Sequence, residues 1–310
     1  MKLNIPYTST LHVTIGAFDG VHKAHKKLIA RVVDEASKNN DTSLVLTFEP
    51  LPKEVLPHEK FEGRLLPASV KQYMLSQQNP NFLIVENFKD IRYLSEDQFI
   101  RSLLKYAEKV IFYAGPDFHI GCKEGIRYIG QNVDIIHEPD IIINGFICRS
   151  SVIRDLIKNG SVDVAAKLLG YEYTYYGRTI SGSQVGRTID FPTINLQSSN
   201  QITPGFGVYF GEILLFGETR PCAAYVGTRP SLRGLDLRME AHIIDGKPVP
   251  SIPESTQTAL RLIEKISEEK TLESLENLRK MLYNYKEISL GLATERYKIQ
   301  KAPPFPECER

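Results

Sequence analysis

The sequence lacks the features by which secreted and membrane-bound proteins are recognised. Its beginning has no cationic stretch followed by an apolar segment, and no apolar run in its 310 residues approaches the length that spans a bilayer. Cysteine is scarce and has no C-x-x-C pair, which argues against a disulfide framework and a zinc ribbon. The four cysteines are Cys122, Cys148, Cys222 and Cys308. We therefore expect a cytoplasmic protein without a membrane partner.

An excess of charge of either sign is also missing, since 38 lysines and arginines stand against 37 aspartates and glutamates. Without a global basic field we expect no nucleic-acid partner, although a small charged ligand can still bind locally. The length of the chain and its hydrophobic fraction of 42% predict two packed domains. The charge balance leaves the oligomeric state open.

The first half of the chain alternates strand-like and helix-like runs, a pattern typical of a parallel sheet covered by helices. Strands are predicted over Ser43–Thr47, Phe82–Val85, Val110–Tyr113 and Asp134–His137, and helices near Val70–Ser76, Asp97–Tyr106, Ser150–Ile157 and Ser161–Leu169. The last of these helices ends at Gly170, where the pattern changes. We place the domain boundary there, between residues 1–170 and 171–310.

After Gly170, short β-branched and aromatic runs are separated by glycine and proline turns. That spacing predicts an antiparallel barrel or sandwich. The runs are Tyr173–Ile180, Gly207–Leu215, Cys222–Val226, Leu237–Ile244 and Thr258–Ile266. From Leu272 onward, apolar residues recur at helical spacing, which predicts a long terminal helix packed on the barrel.

The most informative segment is Gly16–His25, which follows a strand-like run and precedes a helix-like one. A turn of this kind directs free backbone N–H groups and the positive end of the helix dipole towards its ligand, which favours phosphate. His22 and His25 lie one helical turn apart and would face the same ligand. Two alternatives remain open, a pair of metal ligands and a pair of surface histidines, and Asp19 could simply cap the turn.

This segment resembles the G-x-F-D-x-x-H-x-G-H signature of the nucleotidyltransferase superfamily, specifically its bacterial FAD synthetases. Thr47–Pro50, Gly115–Gly121 and Ser150–Arg154 are similar to later segments of that family and occur in the same order. The resemblance implies a Rossmann-like α/β nucleotidyltransferase domain that adenylylates FMN with ATP and releases pyrophosphate. It implies catalytic His22 and His25, ATP-binding Gly16, Phe18, Asp19, Ser151 and Arg154, and flavin-binding Asp117 and Phe118.

In the second half, Gly186–Leu196 resembles the G-R-x-L-G-F-P-T-A-N-L signature of riboflavin kinases. The resemblance implies an antiparallel β-barrel domain, with a terminal α-helix, that phosphorylates riboflavin with ATP. Thr193 and Asn195 offer neutral oxygens of the kind that Mg²⁺ accepts, and Glu240 is implied as the base. The implied phosphate-binding residues are Gly186, Arg187 and Thr188.

Together the two resemblances imply a bifunctional transferase that uses riboflavin, FMN, ATP and Mg²⁺ and produces FAD. Departures from the family patterns stand against this interpretation: Ala24 replaces a glycine, His119 and Ser267 replace arginines, Arg149 replaces a serine, and an L-Y-G segment is missing after Asp245. Two alternatives therefore remain. The chain could be an FAD synthetase with a degenerate kinase domain, or a flavin- or nucleotide-binding module without turnover.

Overall fold

The computed structural model describes residues 4–56, 60–116, 118, 120, 128–181, 192–198, 200–231, 234–268 and 275–299. The chain forms two compact units. The first unit comprises the residues up to Glu62 together with Ala68–Ser150, and the second contains Gly63–Pro67 and the chain from Ser151 onward. The helices between Ser151 and Gly170 thus belong structurally with the second unit. The functional boundary after residue 170 stays a prediction.

The first unit is built on a parallel sheet with the strand order β3-β2-β1-β4-β5. The strands are β1 Thr8–Ile15, β2 Thr42–Phe48, β3 Phe82–Glu86, β4 Ala107–Ala114 and β5 Val133–His137. The helices are α1 Lys23–Asn39, α2 Pro52–Val55, α3 Ala68–Ser76, α4 Phe88–Ile91 and α5 Glu96–Leu103. A hairpin of β6 Ile142–Ile143 and β7 Phe146–Ile147 follows. The predicted parallel α/β architecture is confirmed.

Successive side chains along a strand point to opposite faces of the sheet, so apolar residues on both faces need covering elements. Leu11 and Val13 of β1, with Phe112 of β4, form one buried cluster with Phe99 and Leu103 of α5. Helix α1 packs along β1 and β2 and buries its own apolar stripe, which consists of Ile29, Val32 and Ala36. Fully burying an isoleucine or valine side chain contributes about 1.5–3 kcal/mol.

The second unit contains a closed barrel with the strand order β10-β11-β12-β9-β8-β13. Its strands are β8 Thr174–Ile180, β9 Ile194–Gln197, β10 Gly207–Leu215, β11 Glu218–Ser231, β12 Gly234–Ile243 and β13 Gln257–Glu268. Its helices are α6 Ser150–Lys158, α7 Val162–Leu169 and α8 Leu275–Ile299. Each pairing between the barrel strands is antiparallel. The predicted barrel with a terminal helix is confirmed.

Charged side chains fasten helix α8 to the barrel. The buried carboxylate of Glu212 on β10 accepts hydrogen bonds from Arg261 on β13, at 2.6 Å, and from Arg296 on α8, at 3.0 Å. Arg296 also donates to Glu172, at 3.0 Å. A buried carboxylate must be paired because an isolated one is very costly to desolvate. The two arginines supply that pairing and join three elements.

Candidate functional site

Strand β1 ends in a turn whose backbone is strained. The φ angles of Phe18, Gly20 and Val21 are 47°, 86° and 35°. Positive φ is uncommon outside glycine and is a genuine outlier for a β-branched residue such as valine. Residues in such conformations cluster at functional sites, where the surrounding structure holds them in place. The predicted ligand-binding turn therefore adopts a special conformation.

The two histidines of the motif lie against each other at the start of α1. His22 is the N-cap residue, and its Nδ1 accepts a hydrogen bond from the backbone N–H of His25 over 3.4 Å. The two rings stack with centroids 3.5 Å apart, and the ring of Phe18 meets His25 edge-on at 5.1 Å. The N-cap of α1 is thus His22, and the side chain of Asp19 is buried.

The environment keeps the His25 ring uncharged. Burial lowers the pKa of His25 well below the ordinary value of 6.5, and the neighbouring His22 and Lys71 lower it further. Nδ1 of His25 is buried and has no hydrogen-bond partner among the described residues, whereas the residue as a whole is half-buried. The opposite edge of the ring, which carries Nε2, is therefore the edge that can reach a ligand. At neutral pH the ring offers a hydrogen bond rather than a positive charge.

A cavity of about 350 Å³ opens beside this turn. Its lining includes five residues of the motif, Gly16, Phe18, His22, Ala24 and His25, with Cys148 and Ser150 from the segment after β7. Sγ of Cys148 lies 3.6 Å from Nδ1 of His22, and the hydroxyl of Ser150 donates to the carbonyl of Asp19 at 2.8 Å. Gly16, Phe18, His22 and His25 thus line one cavity, whereas Asp19 is buried and does not line it; that these residues bind ATP stays a prediction.

A second cavity, of about 290 Å³, adjoins the first. Most of its lining is apolar, including Phe48, Phe88, Ile91, Leu94, Phe118 and Ile120. The two cavities share Ile15, Gly16 and Phe118. Phe118, a predicted flavin residue, therefore lies where they meet, and Asp117 lies outside the described residues. Among the aromatic residues that the site prediction omitted, Phe48 could have been found from its place in the T-F-x-P segment.

The predicted second phosphate clamp, Ser151 and Arg154, belongs to the other compact unit. Arg154 is buried, and its Nε donates to the carbonyl of Gly63 at 3.0 Å. Ser151 is exposed at the start of α6. The structure thus shows a contact of Arg154 within its own unit, and the binding of ATP by both residues stays a prediction.

In the barrel, three predicted residues come together. Thr193 donates a hydrogen bond to Oε2 of Glu240 at 3.0 Å, and Asn195 on β9 stands directly opposite Glu240 on β12. Oδ1 of Asn195 is buried and lacks a hydrogen-bond partner in the described part of the chain. A buried polar atom without a partner is costly, so this oxygen is suited to bind a ligand. Gly186, Arg187 and Thr188 lie outside the described residues.

Next to this group, Nδ1 of His242 lies 2.9 Å from the carbonyl of Pro192, so this nitrogen carries the proton and donates it. Burial lowers the pKa of His242, although the bond to Pro192 acts in the opposite sense. His242 therefore holds the chain just before Thr193 in place as a neutral ring.

The donor set of the barrel site fits a magnesium ion. No group of three histidine, cysteine, aspartate or glutamate side chains that could hold a metal occurs in the described residues. Thr193 and Asn195 instead offer neutral oxygens, the type of ligand that a hard cation accepts when phosphates supply the negative charge. The unpartnered oxygen of Asn195 is consistent with this arrangement.

The fold and the two sites define a transferase with two domains. Family models agree: a model described as FAD synthetase matches residues 5–132, and one described as riboflavin kinase matches residues 169–289. Two curated proteins, each called bifunctional riboflavin kinase/FMN adenylyltransferase, are similar to the chain. That of Escherichia coli K12 is 33% identical over 75% of this chain and 78% of its own length, and that of Bacillus subtilis 168 is 32% identical over 71% and 72%. The chain belongs to the family of bifunctional riboflavin kinase/FMN adenylyltransferases.

A solved structure is similar to this chain over most of its length. It is a crystal structure named as a macrolide-efflux protein from Streptococcus pneumoniae, with a TM-score of 0.80, 25% identity, and coverage of 93% of this chain and 95% of its own. In the part of the present chain that the structure describes, each helix is too short or too polar to cross a bilayer. The likeness to that protein concerns the fold.

Proposed function

We propose that the chain converts riboflavin into FAD in two ATP-dependent reactions, one in each domain. The barrel transfers the γ-phosphoryl group of ATP to the primary alcohol of riboflavin, which gives FMN and ADP. The N-terminal domain transfers AMP from a second ATP to FMN, which gives FAD and pyrophosphate. A cytoplasmic location fits these reactions because ATP is available there. The observation that supports the proposal best is the junction of a histidine-lined cavity with an aromatic one at Gly16.

In the adenylyl transfer, a phosphate oxygen of FMN attacks the α-phosphorus of ATP, and the bond from that phosphorus to the oxygen of the β-phosphate breaks. The aromatic cavity suits a flat isoalloxazine ring, and the adjoining cavity suits the polyphosphate. Nε2 of His25 would donate a hydrogen bond to the phosphate oxygens on which negative charge develops. His22 would help to stabilise the same charge. Donors held in advance at such a position stabilise the transition state.

In the kinase reaction, Glu240 would accept the proton of the riboflavin alcohol while the alcohol oxygen attacks the γ-phosphorus. Thr193 orients this carboxylate through its hydrogen bond of 3.0 Å. The oxygen of the Thr193 hydroxyl has lone pairs, so it can contact a cation while its O–H group still donates a hydrogen bond to Glu240. Thr193 and Asn195 would hold Mg²⁺, which neutralises phosphate charge when bound. Gly186, Arg187 and Thr188 are proposed to bind the phosphates.

A specific observation favours a second candidate function, FAD synthesis without kinase activity. Ser267 stands where the kinase pattern has an arginine, and its hydroxyl accepts a hydrogen bond from Tyr285 of α8 at 3.0 Å. The position that holds a cationic arginine in the riboflavin kinase pattern is thus taken by a serine, which binds Tyr285 of α8. A kinase domain without that cation could serve as a scaffold only.

Chromatography of the products separates these functions. The purified chain is incubated with ATP and Mg²⁺ and either riboflavin or FMN. Formation of FMN and FAD from riboflavin supports the bifunctional enzyme. FAD from supplied FMN alone supports the second candidate, and flavin or nucleotide binding without any product contradicts both and leaves a binding module.

A further inference from the structure

The side chain of Lys71 on α3 is completely buried, and its ammonium group is surrounded by oxygen atoms. Nζ donates to the carbonyl of Phe48 at 2.8 Å, and to the carbonyl of Ala17 and the hydroxyl of Thr47, both at 3.3 Å. It also forms an ion pair of 2.7 Å with Glu49. A lysine is almost never fully buried unless it is paired in this way. The structure therefore gives this charge a definite position.

These acceptors lie on two segments that must be held together. Thr47, Phe48 and Glu49 are at the end of β2, whereas Ala17 belongs to the strained turn after β1. The hydroxyl of Thr47 also donates a hydrogen bond to the carbonyl of Ala17 at 3.3 Å. Because strained backbone persists only where its surroundings fix it, this double attachment explains how the turn keeps its conformation.

The attachment also sets the direction of the next backbone amide. In a trans peptide the C=O and N–H groups point to opposite sides. Since the carbonyl of Ala17 points to Lys71, the N–H of Phe18 points away from Lys71. The ring of Phe18 in turn packs against His25, with centroids 5.1 Å apart. On the other side of the turn, Ser150 fastens the carbonyl of Asp19 at 2.8 Å.

We propose that Lys71 is a positioning residue for adenylyl transfer, which fixes the turn bearing Phe18 and the histidine pair by binding Ala17 and the end of β2. Lys71 lines neither of the two cavities. It therefore acts through the turn and not on the substrates. The inference rests on the proposed adenylyltransferase function of this domain.

Charge gives the inference a second readout. Burial, His22 and Lys71, in that order, lower the pKa of His25. Loss of the Lys71 charge should therefore raise the pKa of His25. Glu49 lies 2.7 Å from Nζ of Lys71, so loss of its negative charge would leave the lysine charge uncompensated, and we expect the pKa of His25 to fall. The other ionisable groups that line the same cavity are His22, Lys27, Glu138, Asp140, Cys148 and Arg149.

The first test is Lys71→Met, which keeps a linear side chain and removes the ammonium group. We expect kcat/KM for FAD formation from FMN to fall by about 10²-fold, as small misplacements of catalytic groups do. FMN formation from riboflavin should not change. The pKa of His25, followed by NMR, should rise. The matched control is Lys38→Met, an exposed lysine that pairs with Glu35 at 3.1 Å, and it should change none of these quantities.

Glu49→Gln is the second variant, because it retains the lysine and its bonds to the turn. Its expected effect is a lower pKa of His25, opposite in sign to that of Lys71→Met. If Lys71→Met fails to fold, as circular dichroism would show, this variant decides alone. An unchanged His25 pKa in each folded variant, or full FAD synthesis by folded Lys71→Met, would overturn the inference. If the parent protein makes no FAD, the proposed function fails. The role of Lys71 is then tested only by the pKa of His25 in the two variants.

Discussion

The hydroxyl of Thr193 donates a hydrogen bond to the carboxylate of Glu240 at 3.0 Å, although 47 positions separate the two residues in the chain. The pairing of β9 with β12 brings them together, because Asn195, two residues after Thr193, stands opposite Glu240. Side chains two residues apart on a strand share a face. The barrel thus assembles a base and two neutral oxygens on one surface, and this arrangement gives the first prediction.

Replacing the base should separate the two activities. Glu240→Gln removes the proton acceptor, so we expect riboflavin phosphorylation to fall by about 10²-fold or more. FAD formation from supplied FMN should be retained, because that reaction is assigned to the other domain. Product chromatography measures both rates. Glu264→Gln, an exposed glutamate on β13, is the matched control; equal kinase rates for Glu240→Gln and this control would contradict the assignment.

Asn195→Leu should lower activity without lowering stability. The substitution removes a buried oxygen that has no hydrogen-bond partner among the described residues. An unsatisfied buried polar group costs about 1–3 kcal/mol, so Tm should stay the same or rise. Kinase activity should fall, and more Mg²⁺ should be needed for the remainder. A marked drop in Tm would show instead that Asn195 supports the barrel.

The His25 ring can be tested atom by atom. A glutamine amide can take the place of Nε2, whereas an asparagine amide lies nearer to Nδ1, which is buried in the parent protein. We expect His25→Ala and His25→Asn to reduce FMN-to-FAD conversion by about 10²-fold, and His25→Gln to retain more of it. FMN formation should be spared in all three. The assignment fails if alanine at this position leaves the adenylylation rate unchanged.

ATP binding should be coupled to proton uptake. Burial, His22 and Lys71 keep the pKa of His25 well below 6.5, so the ring is neutral in the free protein. A bound polyphosphate favours the charged ring and raises this pKa, so ATP affinity should increase as the pH falls below neutrality. Calorimetry in buffers of different ionisation enthalpy measures the uptake. His25→Gln removes this contribution and leaves that of ATP itself; identical uptake by the two proteins would exclude His25 as its source.

The same depressed pKa predicts the effect of pH on stability. The unfolded chain binds a proton at His25 near the ordinary pKa of 6.5, whereas the folded chain binds it only at lower pH. Between these two values the unfolded state holds more protons, so this residue makes the domain less stable as the pH falls. Unfolding of the parent and His25→Gln at several pH values would reveal the difference. If the free energies of unfolding of the two proteins changed in parallel from neutral pH into this acidic range, the contribution of His25 would be contradicted.

The fastening of α8 can be tested by neutralising Glu212. The carboxylate lies between Arg261 and Arg296, and Glu212→Gln would remove the negative charge that both arginines share, although Arg296 keeps its bond to Glu172. We expect a loss of about 3–5 kcal/mol in the free energy of unfolding. Glu218→Gln removes an exposed pair with Lys247, at 3.6 Å, and should change that free energy by no more than about 0.5 kcal/mol. Similar losses in the free energy of unfolding for the two variants would show that the ion pairs of Glu212 do not stabilise the barrel.

The sequence by itself determined the architecture and much of the site. Periods of two and 3.6 residues are local, so alternating and helical runs identified the parallel sheet, the barrel strands and the terminal helix. The order of glycine, aspartate and histidine in Gly16–His25 likewise identified the turn. Thr193, Asn195 and Glu240 were identified by their resemblance to the kinase pattern, and the barrel then placed them together.

Only the tertiary structure decided how these groups are held and charged. The aromatic cavity combines Phe48, Phe88 and Phe118, which lie far apart in the chain, so no local pattern reveals it. The neutrality of His25 depends first on burial and then on the charges of His22 and Lys71, and Lys71 belongs to a different helix, α3. Burial and distance between charges set a pKa, and both are properties of the folded chain.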